Sequence, residues 1–308
     1  MKDDKKHKLI VILGPTATGK TRLAALLAGR INGEIISADS RQVYRGMDLG
    51  TGKDYEDYKV GEKIIPYHLV DIVDPGYEYN VFEYQRDFIR AFEDIVSRGR
   101  QPILCGGTGM YIEAVLDRYK LVRVPENKEL RTKLEGKPHD RLIDELLVMK
   151  SLHNVTDTEA TDRLIRALEI GYYYKEHPEE ETPFPEFESI VFGITFDRKI
   201  IRTRITERLK KRLDQGMIDE VRSLLEQGIS PEKLKFYGLE YRYLTQYILG
   251  EISYEEMFRL LNTAIHQFAK RQMTWFRRME KKGTEITWLD GDNSEKEQII
   301  EDRRSTIK

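Results

Sequence analysis

The sequence predicts an α/β fold: a parallel-sheet core built around a phosphate loop, with a mainly helical insertion and a helical C-terminal region. Three observations carry this. Short apolar runs alternate with amphipathic helical stretches over residues 1–119, the pattern of strand–helix–strand units covered on both faces. Between the first run and the first helix stands a complete G-x-x-x-x-G-K-S/T segment, Gly14–Thr21. From about Lys120 the chain turns charged and helical in period, until the apolar run Ile190–Phe196 returns it to the sheet. The expected organisation is a core of residues 1–119 and 190–308 with an insertion of residues 120–189.

In chain order, Lys8–Leu13 is a compact Ile/Val-rich run that suits a buried parallel strand. Thr18–Arg30 reads as a helix with Leu23, Leu26 and Leu27 on one face. Glu34–Ser37 and His68–Ile72 are the next two strands. Asn80 can cap a helix that presents Val81, Phe88, Phe92, Ile95 and Val96 at helical spacing. Gly99 ends it, and Gln101–Cys105 follows as a strand. Gly106-Gly107-Thr108-Gly109 then turns into a helix from Met110 to about Asp117. Residues 120–175 carry a thin apolar stripe, Leu142, Leu146, Val148 and Met149. Glu176–Glu188, with six acids, three prolines and no Lys or Arg, is an exposed loop or linker. Beyond the returning strand, Ile201, Ile205, Leu209 and Leu213 recur every four residues, and a second helix, Ile218–Gln227, stops at Gly228. Ser253 and Glu256 form a capping box for a long helix reaching about Arg278. Thr284–Leu289 closes the sheet as an edge strand.

Composition narrows the class. The 308 residues carry 51 Lys+Arg against 53 Asp+Glu, and 40% are hydrophobic, which is globular and neither disordered nor fibrous. A single cysteine, Cys105, excludes an internal disulfide framework and fits a cytoplasmic protein. The apolar run Leu9–Leu13 is too short for a secretory core or a membrane span. A net charge of −2 averages over opposite surfaces: Arg198–Arg212 holds eight cations and one acid, Lys270–Arg278 four cations around Trp275 and Phe276. Cations interleaved with aromatics suit phosphate backbones and stacked bases, although a solvated helix face over core aromatics has the same pattern.

The phosphate-loop residues, Gly14, Pro15, Thr16, Ala17, Thr18, Gly19, Lys20 and Thr21, are the strongest chemical signal. Glycines let the backbone point N–H groups at phosphate oxygens, beside a helix N-terminus. Lys20 adds a charge on the terminal phosphates, and Thr21 can hold Mg2+. The loop implies a diphosphate or a triphosphate without choosing between them. Asp39 sits just past a strand, where ligands of open sheets gather; it is either a general base or a turn former in Ala38-Asp39-Ser40-Arg41. His68, Asp71 and Asp74 match no standard metal spacing, and Cys105 is most simply a small core residue.

The ordered segments GPTATGKT, SADSRQVYRGMDLGTGK, HLVDIVDP, GGTGMY, TDRLIRALE, RITERLKKRLDQGMIDEV and AKRQMTWFR together resemble the tRNA dimethylallyltransferase (tRNA isopentenyltransferase) family, from about Leu9 to Arg277. The resemblance implies transfer of a dimethylallyl group from its diphosphate to N6 of an adenine next to the anticodon of tRNA; separately, the chain is expected to be a monomer with no membrane partner. By it, Gly14–Thr21 would grip the diphosphate, and Thr21 would contact its bridging oxygen or Mg2+. Asp39 would be the catalytic carboxylate, and Arg204 or, preferentially, Arg208 would neutralise the leaving group. Asp39, Ser40, Arg41, Gln42 and Thr108 would touch the target base and its neighbours. Asp162, Arg163, Leu164, Ile165 and Arg166, with Lys270, Arg271, Gln272, Trp275 and Arg277, would contact the tRNA anticodon arm, and residues 120–189 would be its gripping domain. Two stretches depart from the family pattern: LHNVTDTEATDR, and Phe236–Arg242 where a tighter G-Y-R/K segment is expected. Two other readings remain on the residues alone. One is a phosphate-loop kinase for a small metabolite, and the other is prenyl transfer to free adenine nucleotides.

Overall fold

The computed structural model describes residues 7–149, 161–177 and 183–306. They form two compact units, Met1–Tyr119 with Phe184–Lys308, and Lys120–Pro183. The first unit is built on a six-stranded sheet, every pairing of it parallel. Its order is β5 (Tyr67–His68), β2 (Gly33–Ala38), β6 (Gln101–Gly106), β1 (His7–Leu13), β7 (Phe187–Thr195) and β8 (Ile286–Asp290). The two-residue strands β3 (Lys59–Val60) and β4 (Lys63–Ile64) form a small separate hairpin.

Both faces of the sheet are covered, which is why its central strands read as unbroken apolar runs. On one face Leu9, Val11, Leu13, Ile36 and Leu104 meet α2 (Val81–Ser97), α3 (Gly109–Leu116) and the end of α11 (Tyr254–Lys281) through Phe88, Phe92, Ile112, Phe276 and Met279. On the other, Ile10, Ile12, Ile35 and Ile103 meet α1 (Lys20–Ile31) and α12 (Lys296–Thr306) through Leu23, Leu27 and Ile300. Each fully buried aliphatic or Phe side chain contributes about 1.5–3 kcal/mol. A third cluster packs Val43, Tyr44 and Met47 against α7 (Arg198–Asp214), α8 (Met217–Glu226), α9 (Pro231–Phe236), α10 (Leu239–Ile248) and α11. Ile205, Leu209 and Leu213 supply the α7 side of that cluster.

Caps fall where the sequence places them. Asn80 accepts from the Glu83 N–H and Glu83 reaches back, a complete box. Ser253 caps α11 by accepting from the Glu256 N–H, but the Glu256 carboxylate turns to Arg259 at 3.8 Å, so the expected box is half formed. The expected strand His68–Ile72 is shorter than its apolar pattern. Only Tyr67–His68 pairs with β2, because Leu69 and Asp71 adopt left-handed backbone (φ 61° and 56°). The N–H groups of Asp71 and Ile72 bond instead to the carbonyls of Gln42 and Val43. Strand β7 begins at Phe187, three residues before the apolar run that announces it.

The second unit packs α4 (Lys128–Glu135), α5 (His139–Met149) and α6 (Thr161–Glu176) around Leu134, Leu142, Leu146, Leu164, Ile165 and Leu168. Val148, expected in the apolar stripe, is 89% exposed. Most of LHNVTDTEATDR and the centre of the acidic loop lie outside the described residues.

Candidate active site

The site forms at the carboxyl ends of β1, β2 and β6, where a parallel sheet with helices on both faces leaves its crevice. Between β1 and α1 the phosphate loop curls through Gly14 (φ 153°), Ala17 (φ 63°) and Gly19 (φ 76°). Gly14 admits no side chain, since a Cβ there would lie 2.6 Å from the Ile194 carbonyl oxygen of β7. The Pro15 carbonyl accepts from Thr18 Oγ1 (2.9 Å) and from Lys20 Nζ (2.7 Å). Gly19 brings no side-chain cap to α1, so the first-turn N–H groups are left for an anion. Burial lowers the pKa of Lys20 to about 8; Arg208 pushes the same way, while Cys105 and Asp39 oppose it.

Helix α7 lays a row of arginines beside the loop. Arg204 Nε donates to the Ala17 carbonyl at 2.9 Å, and its guanidinium stacks 4.5 Å from the Phe196 ring centroid. Arg208 donates through Nη1 to Thr16 Oγ1 (3.2 Å) and through Nη2 to Asp54 Oδ2 (2.7 Å). Both predicted arginines therefore touch the loop. Sequence reasoning missed the third member, Arg212, one helical step further, and the four-residue spacing was its signal. Arg212 is buried, shares Asp54 with Arg208 at 3.3 Å, and leaves its Nε without a partner among the described residues. Burial, with Arg208 adding, lowers its pKa to about 10. Burial would raise the pKa of Asp54, but the two guanidiniums overcome it and hold the carboxyl below its usual range. Beside this group a small cleft of about 20 Å³ lies along Thr16 and Ala17, walled by Ile205, Leu209, Met217 and Ile265 and edged by Arg208, Arg212 and Glu240. Glu240, in the stretch that departs from the family pattern, has its pKa raised by burial and by the charge of Asp39, against the pull of Arg212 and Arg208.

Asp39 follows β2 directly. Its Oδ1 accepts from the Arg41 N–H at 2.9 Å, so it does form the turn. Its Oδ2 has no hydrogen-bond partner among the described residues, so the turn leaves half the carboxylate available. The Gly-rich segment after β6 braces this turn: the Thr108 N–H donates to the Ala38 carbonyl (3.1 Å), and Thr108 Oγ1 accepts from the Ser40 N–H (3.0 Å). Gln272 of α11 completes the arrangement, accepting from the Thr16 N–H and donating to the Gly107 carbonyl, each at 2.9 Å. An anion cradle and a half-free carboxylate are thus held on one hydrogen-bonded frame.

The IPP transferase family model matches residues 42–279. The chain belongs to that family. It is 58% identical over 293 residues to tRNA dimethylallyltransferase 2 of Bacteroides fragilis, covering 95% of this chain and 96% of the relative. It is 57% identical over 295 residues to tRNA dimethylallyltransferase 1 of Parabacteroides distasonis, covering 96% of each. Among solved structures, the full-length tRNA isopentenylpyrophosphate transferase of Bacillus halodurans superposes with a TM-score of 0.69 at 32% identity, covering 98% of this chain and 96% of that one.

Within this family member, several residues expected to touch RNA are engaged by the protein itself. Gln272 is buried, and both ends of its amide are engaged. Gln42 accepts from Ser37 Oγ and donates to the Gly52 carbonyl, each at 3.2 Å. Trp275 packs its indole on Gly109, under the Arg278 guanidinium 4.0 Å away. Leu164 and Ile165 belong to the second unit's core at 0% and 4% exposure, and Arg166 is engaged by Glu169 and the Val124 carbonyl. The reason is common to all: the family segments lie on helices and turns that must also pack. Lys270, Arg271 and Arg277 are exposed along α11, as are Asp162 and Arg163 on α6, while Ser40 and Arg41 are half-buried beside Asp39. His68, Asp71 and Asp74, which match no metal spacing, form ion pairs with Glu34, Lys53 and Arg45 respectively. Cys105 is buried, and burial pushes its thiol up to about 12.

Proposed function

We infer that the chain is a tRNA dimethylallyltransferase, carrying a dimethylallyl group from its diphosphate to N6 of an adenine beside the tRNA anticodon. The observation that carries this is the shared frame of phosphate loop and Asp39, in a chain whose relatives bear that name. The loop grips the diphosphate with the α1 N-terminus and Lys20.

As the donor's C1–O bond breaks, its electron pair leaves with the diphosphate. Lys20 and Arg208 stabilise the charge that builds there, in a half-buried site where such interactions are strong. The adenine N6 lone pair forms the new bond to C1, and Asp39 Oδ2 takes the proton that N6 sheds. To reach this site the base leaves its stack, which costs a few kcal/mol; the Asp39–Arg41 turn and Thr108 form the wall that receives it. Lys270, Arg271 and Arg277, with Asp162 and Arg163 of the second unit, meet the RNA outside the pocket.

Mg2+ fits the donor set. Thr21 presents a hydroxyl with no partner among the described residues, and Mg2+ is commonly held by one or two protein oxygens with substrate phosphates and water. No group of three acidic, His or Cys ligands occurs among the described residues, so the diphosphate itself would supply most of the shell. When bound, the ion would offset charge on the departing diphosphate. No described helix is long and apolar enough to cross a membrane, and we place the enzyme in the cytoplasm, acting as a single chain.

Labelled dimethylallyl diphosphate incubated with bulk tRNA, and separately with AMP, tests the reading. Label is expected in tRNA. Label confined to AMP, or none in either with ATP turnover on a small metabolite, contradicts it.

A further inference from the structure

Helix α11 places cations on its outer side at Lys270, Arg271 and Arg277, but Gln272 between them points inward and is buried. Its amide joins two loops that are distant in sequence: Oε1 accepts from the Thr16 N–H and Nε2 donates to the Gly107 carbonyl. The approach to Gly107 is close enough that a Cβ there would lie 2.4 Å from Nε2. The next residue, Thr108, bonds to Ala38 and Ser40 on either side of Asp39. A hydrogen-bonded path from the phosphate loop to the Asp39 turn therefore passes through this side chain, alongside the sheet pairing of Leu13 with Gly106 and of Gly106 with Ala38. That side chain does not face the ligand, because its acceptor and its donor are both occupied by protein.

We propose that Gln272 is a positioning residue that sets the spacing between the phosphate loop and the Asp39 turn. It thereby fixes the distance between the donor's reacting carbon and the group that takes the acceptor's proton. This rests on the reading of the chain as a dimethylallyltransferase. A misplacement of about 1 Å in such a site can cost roughly 10²-fold in rate. The loss belongs to kcat, since donor binding uses the loop and α7 rather than Gln272. The amide is required because it offers an acceptor and a donor in one plane. Methionine fills the volume and makes neither bond. An ionised glutamate can accept from Thr16 but turns a second acceptor on the Gly107 carbonyl, whereas its protonated form restores the donor.

The test compares wild type, Gln272→Met and Gln272→Glu in single-turnover transfer to tRNA at about pH 6 and about pH 8, with pyrophosphate affinity measured by calorimetry. Gln272→Met should lose roughly 10²-fold in rate at both pH values, with pyrophosphate Kd within about twofold of wild type. Gln272→Glu should fall furthest behind wild type at the higher pH and recover toward it at the lower. The charged groups facing this junction, Lys20 and Arg208 from the loop side and Asp39 from the turn, are common to all three proteins, so the ratio to wild type isolates the new carboxyl. Equal deficits for both variants at both pH values, or a pyrophosphate affinity that falls in step with the rate, would overturn the proposal. Should either variant fail to fold, Gln272→Asn keeps the amide but is one methylene too short to reach both Thr16 and Gly107, and should show the same loss of rate with retained pyrophosphate affinity; full rate in that variant overturns the proposal as well. A wild type that places no label on tRNA defeats the functional reading and this proposal together, while an active wild type with indifferent variants defeats the positioning role alone.

Discussion

The phosphate loop and the KRQMTWFR stretch of α11 are both short motifs, yet they use their residues differently. In the loop, on the proposed reading, the backbone binds the diphosphate, so successive residues from Gly14 to Thr21 would serve one ligand, and the glycines matter for what they lack. In α11 the helix turns through 3.6 residues, so no consecutive run can face one partner. Lys270, Arg271, Thr274 and Arg277 face outward, while Gln272, Phe276 and Met279 are buried. A motif on a loop can be carried over residue by residue; a motif on a helix divides between a surface and a core.

The largest effect should come from the site itself. Asp39→Ala removes the proton acceptor and should lower transfer by about 10²–10⁴-fold, measured as single-turnover rate, while pyrophosphate affinity is retained. Equal loss of both would make Asp39 a turn former only. On the inner face of α11, Phe276→Ala opens a cavity at a fully buried ring and should cost about 3–5 kcal/mol in denaturant unfolding. On the outer face, Lys270→Ala, Arg271→Ala and Arg277→Ala should leave unfolding within about 0.5 kcal/mol of wild type. Each should weaken tRNA binding and flatten its salt dependence by about 0.7–0.9 in log–log slope. If the outer variants destabilise the fold, or the inner one changes only RNA affinity, the division of the helix is wrong.

The smallest effect is electrostatic. Lys20 has its pKa lowered to about 8 in the free protein, and a bound diphosphate would raise it again. Above pH 8 Lys20 should therefore take up a proton on binding, beyond any exchanged by the pyrophosphate itself, whereas below it Lys20 is already charged and adds no such uptake. Calorimetry of pyrophosphate binding in buffers of different ionisation enthalpy reads the proton directly. Lys20→Met should abolish the uptake.

What was legible in the sequence follows local chemistry. The phosphate loop, the Asn80 cap, the central strands and the α7 stripe Ile205–Leu209–Leu213 are each specified by neighbouring residues, and local pattern finds them. The strand at His68 was over-read because its apolar pattern does not reveal that the Asp71 and Ile72 N–H groups bond to the Gln42 and Val43 carbonyls. In the site, Asp39 and the Arg204–Arg208 pair were visible in sequence, but Asp54, Glu240 and the Gln272 bridge were not. Asp54 acts on Arg208, and Gln272 on Gly107, across at least 150 positions of chain, and no spacing rule reaches that far.

The claim at the centre is that one exocyclic amine, held beside Asp39, attacks a donor held by the phosphate loop. An anticodon stem–loop carrying adenine at the target position, compared with one carrying purine and so lacking the 6-amino group, tests it directly with labelled donor. The account predicts label on the adenine stem–loop alone, recovered after digestion as an N6-substituted nucleoside. Comparable label on the purine stem–loop, or label on adenine at a position other than N6, would contradict it.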